Sequence, residues 1–284
     1  FPTRRSSDLL AIVLLSQLTR AFVNEGRWPD MGDLKGGGEI EENAFAVVLL
    51  HALGKSEDAA LGRPWLLFEL DGTLLAIDSD HAFGEFMVRI GWADADTFRR
   101  TNDAFYAQYQ AERLDVAQYV RFATSAWRER SPAQLAEARR RFIDEVIRPS
   151  LHDSASALLQ RHARAGDRIA IVTATNEFVT RPIAALLGVD ALIATELQRD
   201  AAGRVTGEVL GVPSFREGKV ARVRQWLAGD GLRLEDFERS WFYSDSTNDL
   251  ALLEHVSDPV ATNPSPALQR IAQQRGWPIV RLFE

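Results

Sequence analysis

The sequence predicts an α/β protein, with a parallel sheet covered by helices on both faces and one all-helical insert. Alternating strand and helix patterns are typical of such a sheet, and its ligands bind at the carboxyl ends of the strands. Helical spacing of apolar residues over positions 79–150 interrupts that alternation and predicts the insert. Apolar runs of strand length recur at positions 65–70, 168–173, 191–196, 240–245 and 278–283.

Two helices between these strands can be placed by their apolar positions and their ends. Leu158 and Leu159 mark one helix, which is expected to end at Gly166. A second helix contains Val223 and is expected to end at Gly229. Both follow or precede predicted strands, as the alternating pattern requires.

The helical insert, residues 79–150, carries its own signals. Ser131 is followed by Pro132 and Gln134, which predicts a helix start with a capping box. Aromatic side chains recur at helical spacing, and we expect them to form the packed core of the insert rather than a platform for stacked bases. They are Phe83, Phe86, Phe98, Phe105, Tyr106, Tyr109 and Tyr119.

Charge and cysteine content exclude several classes of function. The chain of 284 residues carries a net charge of −7 and no cysteine. Disulfides, thiolate zinc sites and cysteine nucleophiles are therefore excluded, and an acidic chain is poorly suited to gripping nucleic acid. The longest early apolar run, Leu9 to Leu15, is too short for a membrane helix. We expect a cytoplasmic protein whose partner is a small molecule, with no nucleic acid and no membrane.

Two carboxylates stand at the end of the first predicted strand. The apolar run that begins at Trp65 closes with Glu69 and Asp71, and a Gly-Thr turn follows. Because side chains alternate along a strand, both carboxylates should point the same way. This arrangement suits a divalent cation and a phosphate, and a surface pair of acidic residues is the alternative interpretation.

Three further motifs place polar residues at strand ends or helix starts. Thr173 closes one strand, Lys219 stands where a helix begins, and Asp245 and Asp249 follow another strand. Taken singly, Thr173 and Lys219 are typical of structural or solvated residues, and the two aspartates suit the cap of a helix that begins near Thr247. Acidic groups that converge without a cation repel each other. The four motifs together therefore indicate a metal site.

In this order, over residues 63–284, the motifs resemble those of haloacid dehalogenase (HAD) phosphatases. The resemblance is to subclass IB, which includes phosphoserine phosphatases and one type of histidinol-phosphate phosphatase. It implies a Rossmann-like core of residues 63–78 and 151–284, with residues 79–150 as a C1-type all-helical cap that closes over the site. It also implies Mg²⁺ as the cofactor and a small-molecule phosphate ester as the substrate.

The resemblance assigns a role to each candidate residue. Position 69 holds the nucleophile, which carries the phosphoryl group as an acyl phosphate, and Asp71 is the acid and base for the leaving alcohol and the water. Thr173 and Lys219 bind the phosphate. Asp71 also offers its backbone carbonyl to the metal. The expected Mg²⁺ ligands are Glu69, Asp71, Asp245 and Asp249.

Glu69 departs from the family pattern, which has aspartate at this position. Its carboxylate lies one methylene further from the backbone, and a misplacement of about 1 Å lowers a rate roughly 10²-fold. We expect binding of Mg²⁺ and phosphate to survive while turnover falls. A catalytically silent protein that binds a phosphorylated ligand is the alternative hypothesis.

Asp78 is the candidate for recognition of the substrate. It stands nine residues after Glu69, and phosphoserine phosphatases have at that spacing a glutamate that contacts the substrate amine. Asp78 is equally suited to capping a loop or a helix. The sequence leaves open the oligomeric state and the choice between phosphoserine and histidinol phosphate.

Residues 1–62 are interpreted as a non-native or chimeric segment. Residues 1–9 resemble a translated sequencing adapter, and residues 10–52 resemble a fragment of a replicative hexameric DNA helicase. A helicase module is therefore a third hypothesis. The sequence opposes it, because Gly54-Lys55-Ser56 lacks the glycine that a phosphate-binding loop needs five positions earlier, where Leu49 stands.

Overall fold

The structure is a computed structural model that describes residues 64–283. The strands are β1 (Trp65–Phe68), β2 (Arg168–Asn176), β3 (Ala191–Thr195), β4 (Leu197–Arg199), β5 (Val205–Val209), β6 (Ser240–Ser244), β7 (Asp258–Thr262) and β8 (Ile279–Val280). The α-helices are α1 (Ser79–Arg89), α2 (Ala95–Gln110), α3 (Val116–Ser125), α4 (Pro132–Phe142), α5 (Asp153–Ala165), α6 (Glu177–Leu186), α7 (Glu217–Gly229), α8 (Leu250–Leu253) and α9 (Pro266–Arg275).

Six parallel strands form the main sheet in the order β3-β2-β1-β6-β7-β8. The last residue of β1, Phe68, pairs with Ile171 of β2 and Tyr243 of β6. The strand order reverses at β1, because β2 and β3 extend to one side and β6 to β8 to the other. Such a switch point, at the carboxyl ends of the strands, is where open α/β sheets bind ligands.

Helices cover both faces of the sheet, as the alternating pattern predicts. Leu66 and Phe68 enter a buried cluster with apolar residues of α5 and α6. Trp65 and Leu67 enter a second buried cluster with apolar residues of α7, α8 and α9. The period of two along β1 therefore places neighbouring residues in opposite cores.

The helical insert contains α1 to α4, followed by a π-helical turn at Ile143–Ile147. The first four helix starts are capped by side chains that accept a backbone hydrogen bond: Asp78, Asp94, Asp115 and Ser131. The predicted capping box of Ser131 and Gln134 is confirmed. Among the described residues, no helix has both the length and the apolar character needed to cross a membrane.

Two features differ from the sequence-based expectation. β2 continues three residues past Thr173, to Asn176. The antiparallel hairpin of β4 and β5 is not predicted from the sequence, because its strands are short and lack an apolar run. By contrast, α5 ends as predicted at Gly166, which has φ 74°.

Candidate active site

Polar residues from two strand ends and one helix start meet at the switch point of the sheet. Glu69 follows β1, Asp249 follows β6, and Lys219 lies in the first turn of α7. The Lys219 Nζ is 2.6 Å from Asp249 Oδ1 and 3.5 Å from Glu69 Oε1. Residues that lie 150 and 30 positions from Lys219 in the sequence thus share one buried point.

Lys219 is a buried ammonium group between two carboxylates. Its side chain is 2% exposed. Burial opposes a positive charge, but the carboxylates of Asp249 and Glu69 outweigh burial and raise the pKa of Lys219 above its ordinary value. Close approach of the helix depends on Gly218, since a Cβ there would lie 2.1 Å from the Pro213 carbonyl oxygen.

Glu69 is buried but only partly paired. It is 2% exposed, and its Oε2 has no hydrogen-bond partner. Burial raises the pKa of Glu69 well above its ordinary value, and Asp71, Asp249 and Asp245 add to the rise, while Lys219 opposes it. This burial excludes the surface-pair interpretation of Glu69 and Asp71.

Asp71 is held by two donors. Its Oδ1 accepts a hydrogen bond from the Ser79 backbone N–H (2.8 Å), and its Oδ2 accepts one from Thr175 Oγ1 (2.9 Å). Burial and the neighbouring Asp78 raise the pKa of Asp71 to about 7. A carboxyl group with a pKa near neutrality suits proton transfer in both directions.

Asp245 packs directly on the turn after β1. A Cβ added to Gly72, which has φ 76°, would lie 2.5 Å from Asp245 Oδ2, so this contact requires glycine. Thr73 Oγ1 donates a hydrogen bond to Asp245 Oδ1 (3.2 Å). Burial, followed by repulsion from Asp249, raises the pKa of Asp245 to about 7.

Helix capping does not account for the two aspartates after β6. The short 3₁₀ turn Thr247–Asp249 is capped by Ser246, whose side chain accepts a hydrogen bond from the Asn248 N–H. Asp249 instead binds Lys219 and accepts a hydrogen bond from Ser244 Oγ (2.7 Å). Asp249 occupies the N-cap position of α8 but makes no side-chain capping hydrogen bond, so capping does not explain its carboxylate.

The four predicted Mg²⁺ ligands differ in the partners that they already have in the structure. The described residues contain no group of three or more acidic or histidine side chains arranged to hold a metal ion. The carboxylates of Asp71 and Asp249 are engaged by protein donors. Coordination of Mg²⁺ by the side chains of Asp71 and Asp249 stays a prediction. The unpartnered Oε2 of Glu69 and the carboxylate of Asp245 are hard oxygen donors that fit Mg²⁺.

Thr173 is a fully buried residue of β2. Its Oγ1 accepts a hydrogen bond from the Thr175 N–H (3.2 Å). Direct contact of Thr173 with a phosphate stays a prediction. Thr175, which the sequence did not single out, contacts Asp71 because β2 extends beyond Thr173.

Asp78 is at a helix cap as well as at the site. Its Oδ1 accepts the His81 N–H (2.8 Å) at the start of α1, so the capping role is observed. Burial also raises the pKa of Asp78. Asp78 lines a cleft that extends from Glu69 and Asp71 into the helical insert. Contact of Asp78 with a substrate stays a prediction.

The aromatic residues of the insert divide into two groups. Phe83, Phe86 and Phe98 are buried in the core, as expected. The other four are half-buried and line the cleft. These are Phe105, Tyr106, Tyr109 and Tyr119. Helical spacing identifies the inward face but does not separate a packed core from a cleft wall.

Hydrogen bonds between the α2–α3 region and residues after β5 and β6 join the insert to the rest of the site. Arg216 Nη2 donates a hydrogen bond to the Glu112 carbonyl oxygen (2.5 Å), and Thr247 Oγ1 donates one to Glu112 Oε1. Asn248 Nδ2 donates to the Tyr109 carbonyl oxygen (3.3 Å). Both Glu112 and Arg216 have positive φ, 58° and 53°. These contacts hold the α2–α3 loop over the site.

Asn263 holds the turn that follows β1. Its Nδ2 donates to the carbonyl oxygens of Gly72 (3.0 Å) and Thr73 (3.2 Å). Its Oδ1 accepts from the Leu282 N–H (2.6 Å). Asn263 has φ 46°, and an Asn-Pro pair is a turn signal, but nothing in the sequence connects this turn with the first motif.

The profile of the haloacid dehalogenase-like hydrolase family matches residues 66–254. The chain belongs to that family. Over 214 residues the HAD protein is 40% identical to a histidinol-phosphatase of Neisseria meningitidis serogroup C, covering 75% of this chain and 96% of the relative. It is 32% identical over 218 residues to a phosphoserine phosphatase of Mycobacterium tuberculosis, covering 75% and 68%. These matches confirm the expected hydrolase class.

Solved structures confirm the predicted HAD fold. A protein of unknown function from Bordetella pertussis Tohama I is 49% identical, with a TM-score of 0.74, covering 78% of this chain and all of the other. A substrate-bound phosphoserine phosphatase has the same fold at 17% identity and a TM-score of 0.55, covering 77% and 92%. The helicase-like and adapter-like resemblances are not borne out by these comparisons, and both lie outside the described residues.

Proposed function

We propose that this HAD protein hydrolyses a small phosphomonoester through an acyl phosphate on the side chain of residue 69. The observation that carries the proposal is the buried ammonium of Lys219, held within 3.5 Å of both Glu69 and Asp249. Phosphoryl transfer depends on positioning and on neutralising oxygen charge. The Lys219 ammonium, fixed beside the buried Glu69 carboxylate, would position the phosphate and neutralise charge on its oxygens.

The remaining residues take the proton and phosphate steps. In the first step the carboxylate at position 69 attacks phosphorus, the bond to the ester oxygen breaks, and Asp71 gives its proton to that oxygen. In the second step Asp71 takes a proton from water, which attacks phosphorus and releases inorganic phosphate and the carboxylate. Thr173 and Lys219 bind the phosphate oxygens.

Glu69 and Asp245 would hold Mg²⁺ together with the backbone carbonyl of Asp71. When bound, the cation offsets negative charge on the phosphate oxygens. The fit rests on the unpartnered Glu69 Oε2 and on the carboxylate of Asp245, whose pKa is raised by burial and then by repulsion from Asp249. We also propose that residues 79–150 act as the cap over a core of residues 63–78 and 151–284, in the cytoplasm.

A silent protein that binds a phosphorylated ligand is the second candidate. Glu69 favours it, because the longer side chain displaces the nucleophile by one methylene from the position of the family's aspartate. Relatives named as a histidinol-phosphatase and a phosphoserine phosphatase make histidinol phosphate and phosphoserine the first substrates to try under either hypothesis.

Phosphate release with and without Mg²⁺ tests the proposal. The chain and Glu69→Asp are incubated with p-nitrophenyl phosphate, histidinol phosphate and phosphoserine, with Mg²⁺ or with EDTA. We expect Mg²⁺-dependent release, which Asp245→Asn lowers by at least about tenfold since one metal ligand is lost.

A matched control separates this effect from a general loss of charge. Asp258→Asn makes the same change on β7, where Asp258 pairs with Arg239, and should leave release within about twofold, as surface pairs contribute little. Release that is indifferent to EDTA would contradict the metal assignment. Binding of phosphate without release in either form would favour the silent binder.

A further inference from the structure

The cleft above the proposed phosphate site combines acidic and aromatic walls. Its lining includes the carboxylates of Asp78 and Asp80 and the rings of Tyr106, Tyr109 and Tyr119. Aromatic faces attract cations within about 6 Å of the ring centroid, and carboxylates pair with them directly. Both kinds of wall therefore favour a positively charged group.

Asp80 is the carboxylate that is best placed to meet such a group. Tyr119 donates a side-chain hydrogen bond to it, and Asn176 Nδ2 donates another to Oδ1 (3.3 Å). These neutral donors fix the carboxylate but bring no positive charge. Asp78 accepts the His81 N–H and caps the start of α1.

Repulsion among neighbouring carboxylates also favours a cation here. Burial raises the pKa of Asp80 to about 8, and Asp78 and Asp71 add to that rise by repulsion. A cation in contact with Asp80 would relieve this repulsion. The described residues that line the cleft include no lysine or arginine that could supply this positive charge.

A negatively charged group has no partner in the cleft. Among the described residues that line it there is no lysine or arginine, and the one basic side chain is His81. The His81 Nε2 lies 2.8 Å from Asp103 Oδ1. Arg216 is the nearest arginine in sequence to the lining residue Phe215, and it is bound to Glu112. A carboxylate in this space would meet several acidic side chains and no lysine or arginine among the described lining residues.

We propose that the cleft holds a leaving group that is positively charged and carries no carboxylate, and that Asp80 selects it. This inference rests on the proposed function and narrows its substrate to the phosphate ester of a cationic amino alcohol. The chemistry favours an amino alcohol over an amino acid, because an amino acid would bring its carboxylate next to Asp78 and Asp80.

Titration calorimetry with two free ligands tests the inference without any turnover. Histidinol and histidine share the amine and the imidazole and differ in a hydroxymethyl group against a carboxylate. With Mg²⁺ present, we expect histidinol to bind at least about tenfold more tightly than histidine. Asp80→Asn should weaken histidinol binding by about ten- to a hundredfold, as loss of a charged hydrogen bond does.

Asp103→Asn is the matched control. It removes the same charge beside His81, where the Asp103 side chain is 67% exposed, and should change histidinol affinity less than about twofold. Melting temperatures of both variants show whether they fold. Equal binding of histidine and histidinol, no binding of histidinol, or unaltered binding by folded Asp80→Asn would each overturn the inference.

The outcome is separable from that of the proposed function. Selective binding of histidinol with no phosphate release from any ester would support the cation subsite and contradict the phosphatase proposal. If phosphate is released but Asp80→Asn changes neither ligand binding nor kcat/KM, the phosphatase proposal is supported and the cation subsite is contradicted.

Discussion

Replacing Glu69 with aspartate is expected to raise the rate of phosphate-ester hydrolysis about a hundredfold. The Glu69 carboxylate is buried against Lys219, with Oε1 3.5 Å from Nζ. A shorter side chain draws the attacking oxygen back by about one bond length, and a displacement of about 1 Å changes rates roughly 10²-fold. The measurement is kcat for p-nitrophenyl phosphate in both forms.

The same substitution away from the site provides the control. Glu85 lies on α1 and pairs with Arg99 at 2.8 Å on the surface. Glu85→Asp should leave kcat within about twofold, because exposed ion pairs contribute little. Equal kcat values for the original chain and Glu69→Asp would show that the methylene does not limit turnover.

Removing the Lys219 ammonium should abolish hydrolysis and lower the free energy of unfolding by about 3–5 kcal/mol, as breaking a buried ion pair does. Lys219→Met keeps the length of the side chain but leaves the carboxylates of Asp249 and Glu69 buried without their cation. Urea denaturation measures the stability, and phosphate release from Glu69→Asp with and without Lys219→Met measures the activity.

A second substitution separates stability from chemistry. Asp249→Asn in the Lys219→Met background removes one of the two stranded charges and keeps an acceptor for Ser244 Oγ, which lies 2.7 Å away. We expect it to recover at least about 1 kcal/mol of stability and none of the activity. Recovery of activity in the double variant would exclude a direct role for Lys219 in phosphoryl transfer.

The order of strands and helices follows from the sequence because burial imposes a period on it. The apolar run at β1 and the helix signals at Ser131 and Gly166 each reflect a local rule, and each matches the structure. The β4–β5 hairpin escapes prediction because strands of three to five residues with polar side chains have no readable period.

The candidate site is predictable from the sequence where a motif sits at a strand end or at a helix start. Glu69, Asp71 and Asp245 are predicted from strand ends, and Lys219 is predicted from a helix start. Asp80 and Thr175 are not predicted, because their positions depend on where α1 and β2 meet across the cleft. Contacts between distant segments follow from tertiary packing, which no single stretch of sequence encodes.

Covalent labelling of residue 69 tests the central claim most directly. The double variant Glu69→Asp/Asp71→Asn is mixed with p-nitrophenyl phosphate and Mg²⁺, quenched in acid and mapped by peptide mass spectrometry. The nitrophenolate leaves without a proton from residue 71, whereas attack by water needs the base, so the acyl phosphate should accumulate. We predict a phosphoryl group on the side chain at position 69. Phosphate release with no label there, or a label on another residue, would contradict the assignment of this buried cluster as a phosphoryl-transfer site.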